Sequence, residues 1–271
     1  MYNRIDQTFS KLRAKNQKAF MVYITGGDPS PGRSVDVALA LVQVGIDFLE
    51  IGIPFSDPLA DGVANQLGAQ RALGAGTNVR KILGIISTIR EKCEIPIILY
   101  SYLNPLYSYG LERFESDASA AGADGLLLLD LPPEETFLPD GTALHRIRLV
   151  APTTSVDRMK RIASKASGFI YYVSQEGVTG ERSELAKTIG ERVAAIRSVT
   201  DLPVAVGFGI STPDQAAQVA KVADAVVVGS AIVRRIGEFA NEPDLLERIQ
   251  DFVRPLVEAV KGRSQEPEFR S

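Results

Sequence analysis

The chain has 271 residues, of which 45% are hydrophobic and 23% charged, and its formal net charge is −3. These values are ordinary for a globular protein, and the slight negative charge argues against a nucleic acid or an anionic membrane as partner. No apolar run approaches the roughly 20 residues of a membrane span, and the N-terminus lacks the apolar segment of a signal peptide. We therefore expect a cytoplasmic protein.

The chain contains one cysteine, Cys93, and one histidine, His145. A single cysteine cannot form an intramolecular disulfide, and these two residues make a poor metal site. His145 as a catalytic base is one alternative; we favour a histidine near the end of a short helix.

Short β-branched runs recur along the chain and are separated by amphipathic helical patterns. The predicted strands are Ala19–Thr25, Ile46–Ile51, Ile95–Tyr100, Gly125–Asp130, Ile147–Ala151, Gly168–Val173, Val204–Gly207 and Ala225–Gly229. Strands that alternate with helices indicate a parallel sheet.

The predicted fold class is α/β: a (β/α)8 TIM barrel with an extra N-terminal helix and additional short helices. One of these short helices falls in Gly62–Gly76, within the second βα unit. A doubly wound open sheet is the alternative, but its glycine-rich dinucleotide fingerprint is missing after the first strand. We expect a single barrel domain over residues 1–262 and a disordered C-terminal tail over residues 263–271.

Glycine-containing loops follow the last two predicted strands, "GFGISTP" at 207–213 and "VVGSAIV" at 227–233. TIM-barrel enzymes often bind phosphate between these loops. Glycine lets backbone N–H groups approach an anion, and a helix N-terminus supplies free donors. We therefore predict a phosphate site at Gly209, Gly229 and Ser230; the alternative is that these glycines merely turn the chain.

A long polar loop, "SQEGVTGERSE", follows the sixth predicted strand. It is either an ordinary surface loop or a lid that closes over substrate. If the loop is a lid, we expect Thr179 and Gly180 to reach the phosphate or the catalytic carboxylates, Glu50 and Asp61, when it closes.

Carboxylates cluster at the end of the second predicted strand and just beyond it. Glu50 interrupts an apolar run, and no lysine or arginine at a nearby strand end offers it an ion pair. An unpaired, partly buried carboxylate has a raised pKa and suits proton transfer near neutrality. Asp61 can approach the same pocket, whereas Asp57 has the sequence context of a turn residue. Asp130, which ends the fourth predicted strand, either faces the pocket or caps a loop.

Aromatic residues lie at several strand ends: Tyr23, Tyr100, Tyr102, Tyr171 and Phe208. Aromatic residues at such positions are more often packing residues than ligand contacts. Together with a phosphate site, they suggest a substrate with one flat apolar end and one phosphorylated end.

The stretch "LEIGIPFSDPLADG" resembles the signature of the tryptophan synthase alpha subunit family. The blocks "YSYLNPLYSYG", "LLLLDLPPEE", "LVAPTTS", "GFIYYVSQEGVTG", "GFGISTPDQ" and "VVGSAIV" resemble the family's other blocks in the same order, from about Phe9 to about Val260. The resemblance implies a (β/α)8 barrel that cleaves indole-3-glycerol phosphate to indole and glyceraldehyde 3-phosphate, with no metal or bound cofactor. It also implies a pyridoxal-phosphate beta subunit as partner, in an alpha2beta2 heterotetramer.

The resemblance assigns roles to residues of this chain. Glu50 and Asp61 correspond to the family's catalytic carboxylates. The phosphate-binding backbone corresponds to Gly180, Gly209, Gly229 and Ser230, and the indole pocket to Tyr23, Tyr100, Leu127, Tyr171 and Phe208. Partner contacts are expected near Asp57, Pro58, Asn104 and Pro132.

The chain departs from the family pattern at Val63, where a proline is usual, and in a shortened segment between Glu135 and Leu149. We therefore expect the fourth helix to be short or irregular.

Three alternative functions remain: a sugar-phosphate isomerase or epimerase, a stand-alone lyase that releases free indole, and a non-catalytic barrel that activates a partner subunit. The first lacks the "PFSDPLADG" loop, and intact Glu50 and Asp61 argue against the third.

Overall fold

The computed structural model describes residues 3–135, 143–174, 182–207 and 209–262. Its strands close a barrel in chain order, and every neighbouring pair is parallel, including the last strand with the first. The strands are β1 Ala19–Thr25, β2 Phe48–Gly52, β3 Ile97–Ser101, β4 Gly125–Leu128, β5 His145–Val150, β6 Ile170–Val173, β7 Val204–Gly207 and β8 Ala225–Val228. The predicted TIM barrel is confirmed, and the open doubly wound sheet is wrong.

Helices surround this barrel. They are α1 Arg4–Ala14, α2 Pro31–Gln43, α3 Val63–Gly74, α4 Val79–Arg90, α5 Leu103–Tyr109, α6 Leu111–Ala121, α7 Val156–Ser164, α8 Arg182–Arg197, α9 Pro213–Ala220, α10 Ser230–Glu238 and α11 Leu245–Lys261. The extra N-terminal helix and the additional helix of the second βα unit are therefore confirmed. Among the helices of the described residues, none has both the length and the apolar character needed to cross a membrane.

Several helices begin where a polar side chain binds their free N–H groups. Ser30 accepts from the N–H of Arg33, and Asn78 accepts from that of Lys81. Thr212 forms a reciprocal capping box with Gln215 at the start of α9. These signals are local, which is why helix positions can be read from the sequence.

Strand boundaries differ from the prediction in several units. Ile46 precedes β2 because Asp47 turns the chain there: its carboxylate accepts from the N–H of Phe20 and pairs with Lys261. β4 ends at Leu128, short of Asp130, whose Oδ1 accepts from the N–H of Leu103 at 2.8 Å. Asp130 thus caps the start of α5.

His145 is not at a helix end, as predicted, but begins β5. Its Nε2 lies 2.9 Å from the Asp6 carboxylate of α1, a partner too distant in sequence to be foreseen. The position at the N-terminal end of a strand sets His145 on the face opposite the C-terminal strand ends, where TIM-barrel active sites lie.

The barrel interior is a packed core that α1 closes at its N-terminal end. Side chains alternate along each strand, so Phe48 points inward while Leu49 and Ile51 pack against the helices. The Phe9 ring of α1 lies 4.7 Å from the Phe48 ring and 5.9 Å from the Phe169 ring, centroid to centroid. The opposite end of the barrel, at the carboxyl ends of the strands, is not closed by α1 and is the end where TIM-barrel active sites lie.

The described residues between β4 and β5 contain turns and no helix. Of the shortened segment between Glu135 and Leu149, where a short or irregular fourth helix is expected, residues 136–142 lie outside the described residues, and β5 begins at His145. The tail at 263–271 and the loop at 175–181 also lie outside them.

Candidate active site

Glu50 lies on β2 in the barrel interior, one alternation beyond Phe48. It pairs in register with Tyr23 of β1 and Ile98 of β3. Its side chain is fully buried, and neither carboxyl oxygen has a hydrogen-bond partner among the described residues. Burial raises the pKa of Glu50 to about 8. Glu50 is therefore protonated at neutral pH yet close enough to its pKa to exchange a proton.

Asp61 lies above the barrel mouth, on the loop between β2 and α3. Its Oδ2 accepts from the hydroxyl of Tyr102 at 3.0 Å, and its Oδ1 accepts from that of Tyr100 at 3.2 Å. Asn65 of α3 donates to Oδ1 at 3.4 Å, and Gln66 donates to the Asp61 backbone carbonyl at 2.8 Å. The carboxylate is thus fixed from β3 on one side and from α3 on the other.

The carboxyl groups of Glu50 and Asp61 are both removed from water, but within the described part of the chain only that of Asp61 accepts hydrogen bonds. Burial raises the pKa of both, but hydrogen bonds from Tyr102, Asn65 and Tyr100 counteract it at Asp61. Hydrogen bonds to a charged carboxylate favour the ionised form. The mouth therefore holds a carboxyl group suited to donate a proton and another suited to accept a hydrogen bond.

Tyrosine rings line the mouth around Glu50. The rings of Tyr23 and Tyr100 meet edge to face, with centroids 4.9 Å apart at 67°. Burial raises the pKa of Tyr23, Tyr100 and Tyr171, so these phenols keep their protons. Leu127 is fully buried beside Tyr100, its register partner on β3.

The loops after β7 and β8 expose backbone at the same end. Gly209 is exposed and has a φ of +58°, and a Cβ built there would meet no heavy atom of the described residues within 4 Å. Gly229 precedes α10, which begins at Ser230 and has no side-chain cap. The Ile232 N–H already donates to the Gly229 carbonyl, so the N–H groups of Ser230 and Ala231 are the ones at the start of α10 that can bind an anion.

The structure brings together most of the residues predicted from sequence: Glu50, Asp61, Tyr23, Tyr100, Leu127, Tyr171, Gly209, Gly229 and Ser230. Three others, Thr179, Gly180 and Phe208, lie outside the described residues. Asp57 is exposed and accepts from its neighbour Ser56 at 2.6 Å, in keeping with a turn residue.

Tyr102 was named only as one of the strand-end aromatic residues, without a role toward Asp61, and Asn65 was missing from the predicted site. Tyr102 is buried, accepts from the N–H of Ala60 and donates to Asp61. One signal was available: Tyr100 and Tyr102 are two residues apart at a strand end, so they share a face. Nothing in the sequence indicated that the Asp61 loop folds over that face.

These features define a (β/α)8-barrel enzyme whose C-terminal face carries a buried carboxyl group without a partner among the described residues, a hydrogen-bonded carboxylate and an aromatic wall. The family model of the tryptophan synthase alpha chain matches residues 9–261, and the chain belongs to that family. The resemblance seen in the sequence is confirmed. The chain is a carbon–carbon lyase of tryptophan biosynthesis, and the isomerase or epimerase alternative is wrong.

Relatives match over nearly the whole chain. The tryptophan synthase alpha chain of Desulfatibacillum aliphaticivorans is 49% identical over 262 residues, which cover 95% of this chain and 99% of the relative. That of Geobacter sulfurreducens is 48% identical with the same coverage.

Solved structures of tryptophan synthase chains are similar to this chain in fold. Tryptophan synthase subunit alpha of Legionella pneumophila superposes with a TM-score of 0.87 at 40% identity, covering 96% of this chain and 99% of that one. A chain of M. tuberculosis tryptophan synthase in its aminoacrylate-bound form gives 0.85 at 32% identity, covering 96% and 100%.

Proposed function

We propose that this chain cleaves indole-3-glycerol phosphate to indole and glyceraldehyde 3-phosphate with Glu50 as general acid and base and Asp61 as acceptor of the indole N–H. The observation that carries the proposal is the fully buried Glu50 carboxyl without a partner among the described residues. A group in that state can release and recover a proton near neutral pH.

The chemistry is a retro-aldol step. Protonated Glu50 delivers its proton to the ring carbon that bears the glycerol chain, which leaves positive charge on the indole nitrogen. The Asp61 carboxylate accepts the hydrogen bond of that N–H and stabilises the charge. Glu50, now a carboxylate, takes the proton of the adjacent glycerol hydroxyl. The carbon–carbon bond breaks, its electron pair returns to the ring, and the aldehyde forms.

The surroundings fit the two ends of this substrate. Tyr23, Tyr100, Leu127 and Tyr171 supply an aromatic and apolar wall for the indole ring. Gly209, Gly229 and Ser230 supply backbone N–H groups for the phosphate. We assign Thr179, Gly180 and Phe208 to the same site from the family resemblance, since they lie outside the described residues.

The decisive experiment is Glu50→Gln, which keeps shape but removes the titratable group. We expect indole formation to fall on the order of 10²–10⁴-fold for each proton transfer lost, while binding of glycerol 3-phosphate persists. Glu91→Gln, an exposed glutamate at the end of α4, is the matched control. Substantial turnover by the Glu50 variant would refute the acid–base assignment.

The family works with a beta subunit, and we propose that this chain does so in a cytoplasmic alpha2beta2 complex. The expected contacts Asp57, Asn104 and Pro132 are exposed at the carboxyl end of the barrel. Two exposed apolar side chains lie near them: Leu59 is 95% exposed and Tyr107 is 69% exposed. A cavity of about 390 Å³ beside Pro58, lined also by Phe55 and Leu67, extends this apolar surface.

Mixing with a pyridoxal-phosphate beta subunit distinguishes this assembly from the two alternatives. We expect indole release to rise when the beta subunit is added. High activity without a partner would favour a stand-alone lyase. A chain that stimulates the beta subunit but releases no indole would be a non-catalytic activator.

A further inference from the structure

Two phenols hold the two oxygens of the Asp61 carboxylate. Tyr100 donates to Oδ1 at 3.2 Å and Tyr102 donates to Oδ2 at 3.0 Å. Tyr102 also accepts from the N–H of Ala60 at 2.9 Å, so its own proton is directed to the carboxylate. The family resemblance assigned Tyr100 to the wall of the indole pocket; the geometry gives its hydroxyl a different partner.

The frame around Tyr100 fixes this phenol in place. Tyr100 and Tyr102 lie on the same face at the end of β3, and the Tyr23 ring packs edge to face against Tyr100 at 4.9 Å. On the other flank, Tyr100 pairs in register with Leu127. A side chain packed against residues of β1 and β4 has little rotamer freedom, so its hydroxyl remains directed at Asp61.

Tyr100 can act only as a donor to Asp61 near neutral pH. Burial first, and then the Asp61 charge, raise its pKa far above the ordinary value of a tyrosine, so the phenol keeps its proton. An ionised tyrosine beside a carboxylate would repel it, whereas a protonated one satisfies it.

The other groups that face Asp61 do not replace this contact. Asn65 of α3 donates to Oδ1 at the longer distance of 3.4 Å. Among the described residues, Tyr23 of β1 donates no hydrogen bond to Asp61, and the Glu50 carboxyl of β2 has no hydrogen-bond partner. Oδ2 therefore depends on Tyr102, whereas Oδ1 is shared between Tyr100 and Asn65.

We propose that Tyr100 is a positioning residue for Asp61, which together with Tyr102 keeps this carboxylate ionised and directed at the substrate. The inference rests on the proposed role of Asp61 for its effect on turnover, but the contact itself can be tested in the protein without substrate.

The first test follows the Asp61 carboxyl by NMR in protein labelled with ¹³C at aspartate side chains, with Asp61→Asn identifying the signal. We expect Tyr100→Phe and Tyr102→Phe each to move its titration upward by about one pH unit, the size of one charge-assisted hydrogen bond. Tyr23→Phe removes a hydroxyl from the same mouth and is expected to leave the titration in place. Tyr100→Leu provides a second variant should Tyr100→Phe fold poorly.

The second test is the pH dependence of kcat/KM for indole-3-glycerol phosphate. We expect the acid limb to move upward in Tyr100→Phe by the same shift as the carboxyl titration. An unshifted Asp61 titration in both Tyr100 variants would overturn the inference, even if KM changed, because Tyr100 would then be only a wall of the pocket. Full activity in Asp61→Asn would instead refute the proposed role of Asp61 while the NMR shift still reports the contact.

Discussion

The phenol oxygen of Tyr23 occupies the space that a side chain at position 52 would fill. A Cβ on Gly52 would lie 2.2 Å from that oxygen. The same relationship recurs across the barrel, where a Cβ on Gly207 would lie 2.4 Å from the Tyr171 hydroxyl oxygen. Glycines near the ends of β2 and β7 thus make room for the tyrosines that line the mouth.

Gly52→Ala should therefore displace Tyr23 and distort the site. We expect a loss of about 1–3 kcal/mol in the free energy of unfolding, the usual cost of overpacking, and weaker substrate binding. Combining it with Tyr23→Phe, which removes the clashing oxygen, should restore part of the stability. Gly84→Ala is the control: Gly84 lies in α4, where a Cβ would have no heavy atom within 4 Å, so this change should stabilise by about 0.5–1 kcal/mol. Equal effects at both glycines would contradict the clash.

Glu50 should make stability depend on pH. Its pKa is raised by burial from 4.5 to about 8 in the folded protein. Between these values the unfolded chain loses the proton while the folded chain keeps it, so the free energy of unfolding falls as the pH rises. The total effect is on the order of 4 kcal/mol.

Urea unfolding of wild type and Glu50→Gln checks this dependence. We expect similar stabilities near pH 4.5 and a more stable variant above pH 8, because glutamine needs no desolvation of a charge. A difference that stayed constant across this range would show that Glu50 is not buried as a neutral acid.

An ion pair between a buried carboxylate and a half-buried arginine joins the first βα loop to α3. The Asp28 carboxylate, which is fully buried, accepts from Nε and Nη2 of Arg71 at 2.8 and 2.7 Å. Arg71 also donates to the carbonyl of Val233 on α10 at 3.3 Å. Arg71 thereby connects the helix that follows Asp61 to the helix that begins at Ser230.

Arg71→Met leaves the Asp28 charge buried without its partner. We expect a loss of about 3–5 kcal/mol in the free energy of unfolding, as for other broken buried pairs. Lys160→Met is the matched control, since its pair with Asp157 is exposed and should be worth less than about 1 kcal/mol. Similar losses for the two variants, measured by chemical unfolding, would refute a special role of the Arg71 pair.

The sequence predicted the barrel well because its signals are periodic and local. Short apolar strands alternate with amphipathic helices along the chain, and Glu50 is conspicuous as the one acid within the apolar run of β2. The predicted ends of the strands were less accurate. Ile46, for example, is as apolar as a strand residue, but the chain still turns there and β2 begins at Phe48.

Contacts between distant segments could not be predicted. His145 lies within hydrogen-bond distance of Asp6 on α1, and Tyr102 forms hydrogen bonds with Ala60 and Asp61 in another βα unit. A strand pattern gives the face on which a side chain lies, but not which loop folds over it. Hence the sequence identified Asp61, Tyr100 and Tyr102 as candidates, but not the hydrogen bonds by which the two phenols fix Asp61.

Leu59 offers a test of the proposed partner surface. It lies between Pro58 and Asp61, its side chain is 95% exposed, and an exposed leucine gains stability only when a partner covers it. Leu59→Asp would place a charge in the apolar centre of the interface, so we expect the Kd for the beta subunit to rise at least about tenfold. Gln17→Asp adds the same charge at the opposite end of the barrel and should leave the Kd unchanged; titration calorimetry measures both, and equal affinities would place the partner elsewhere.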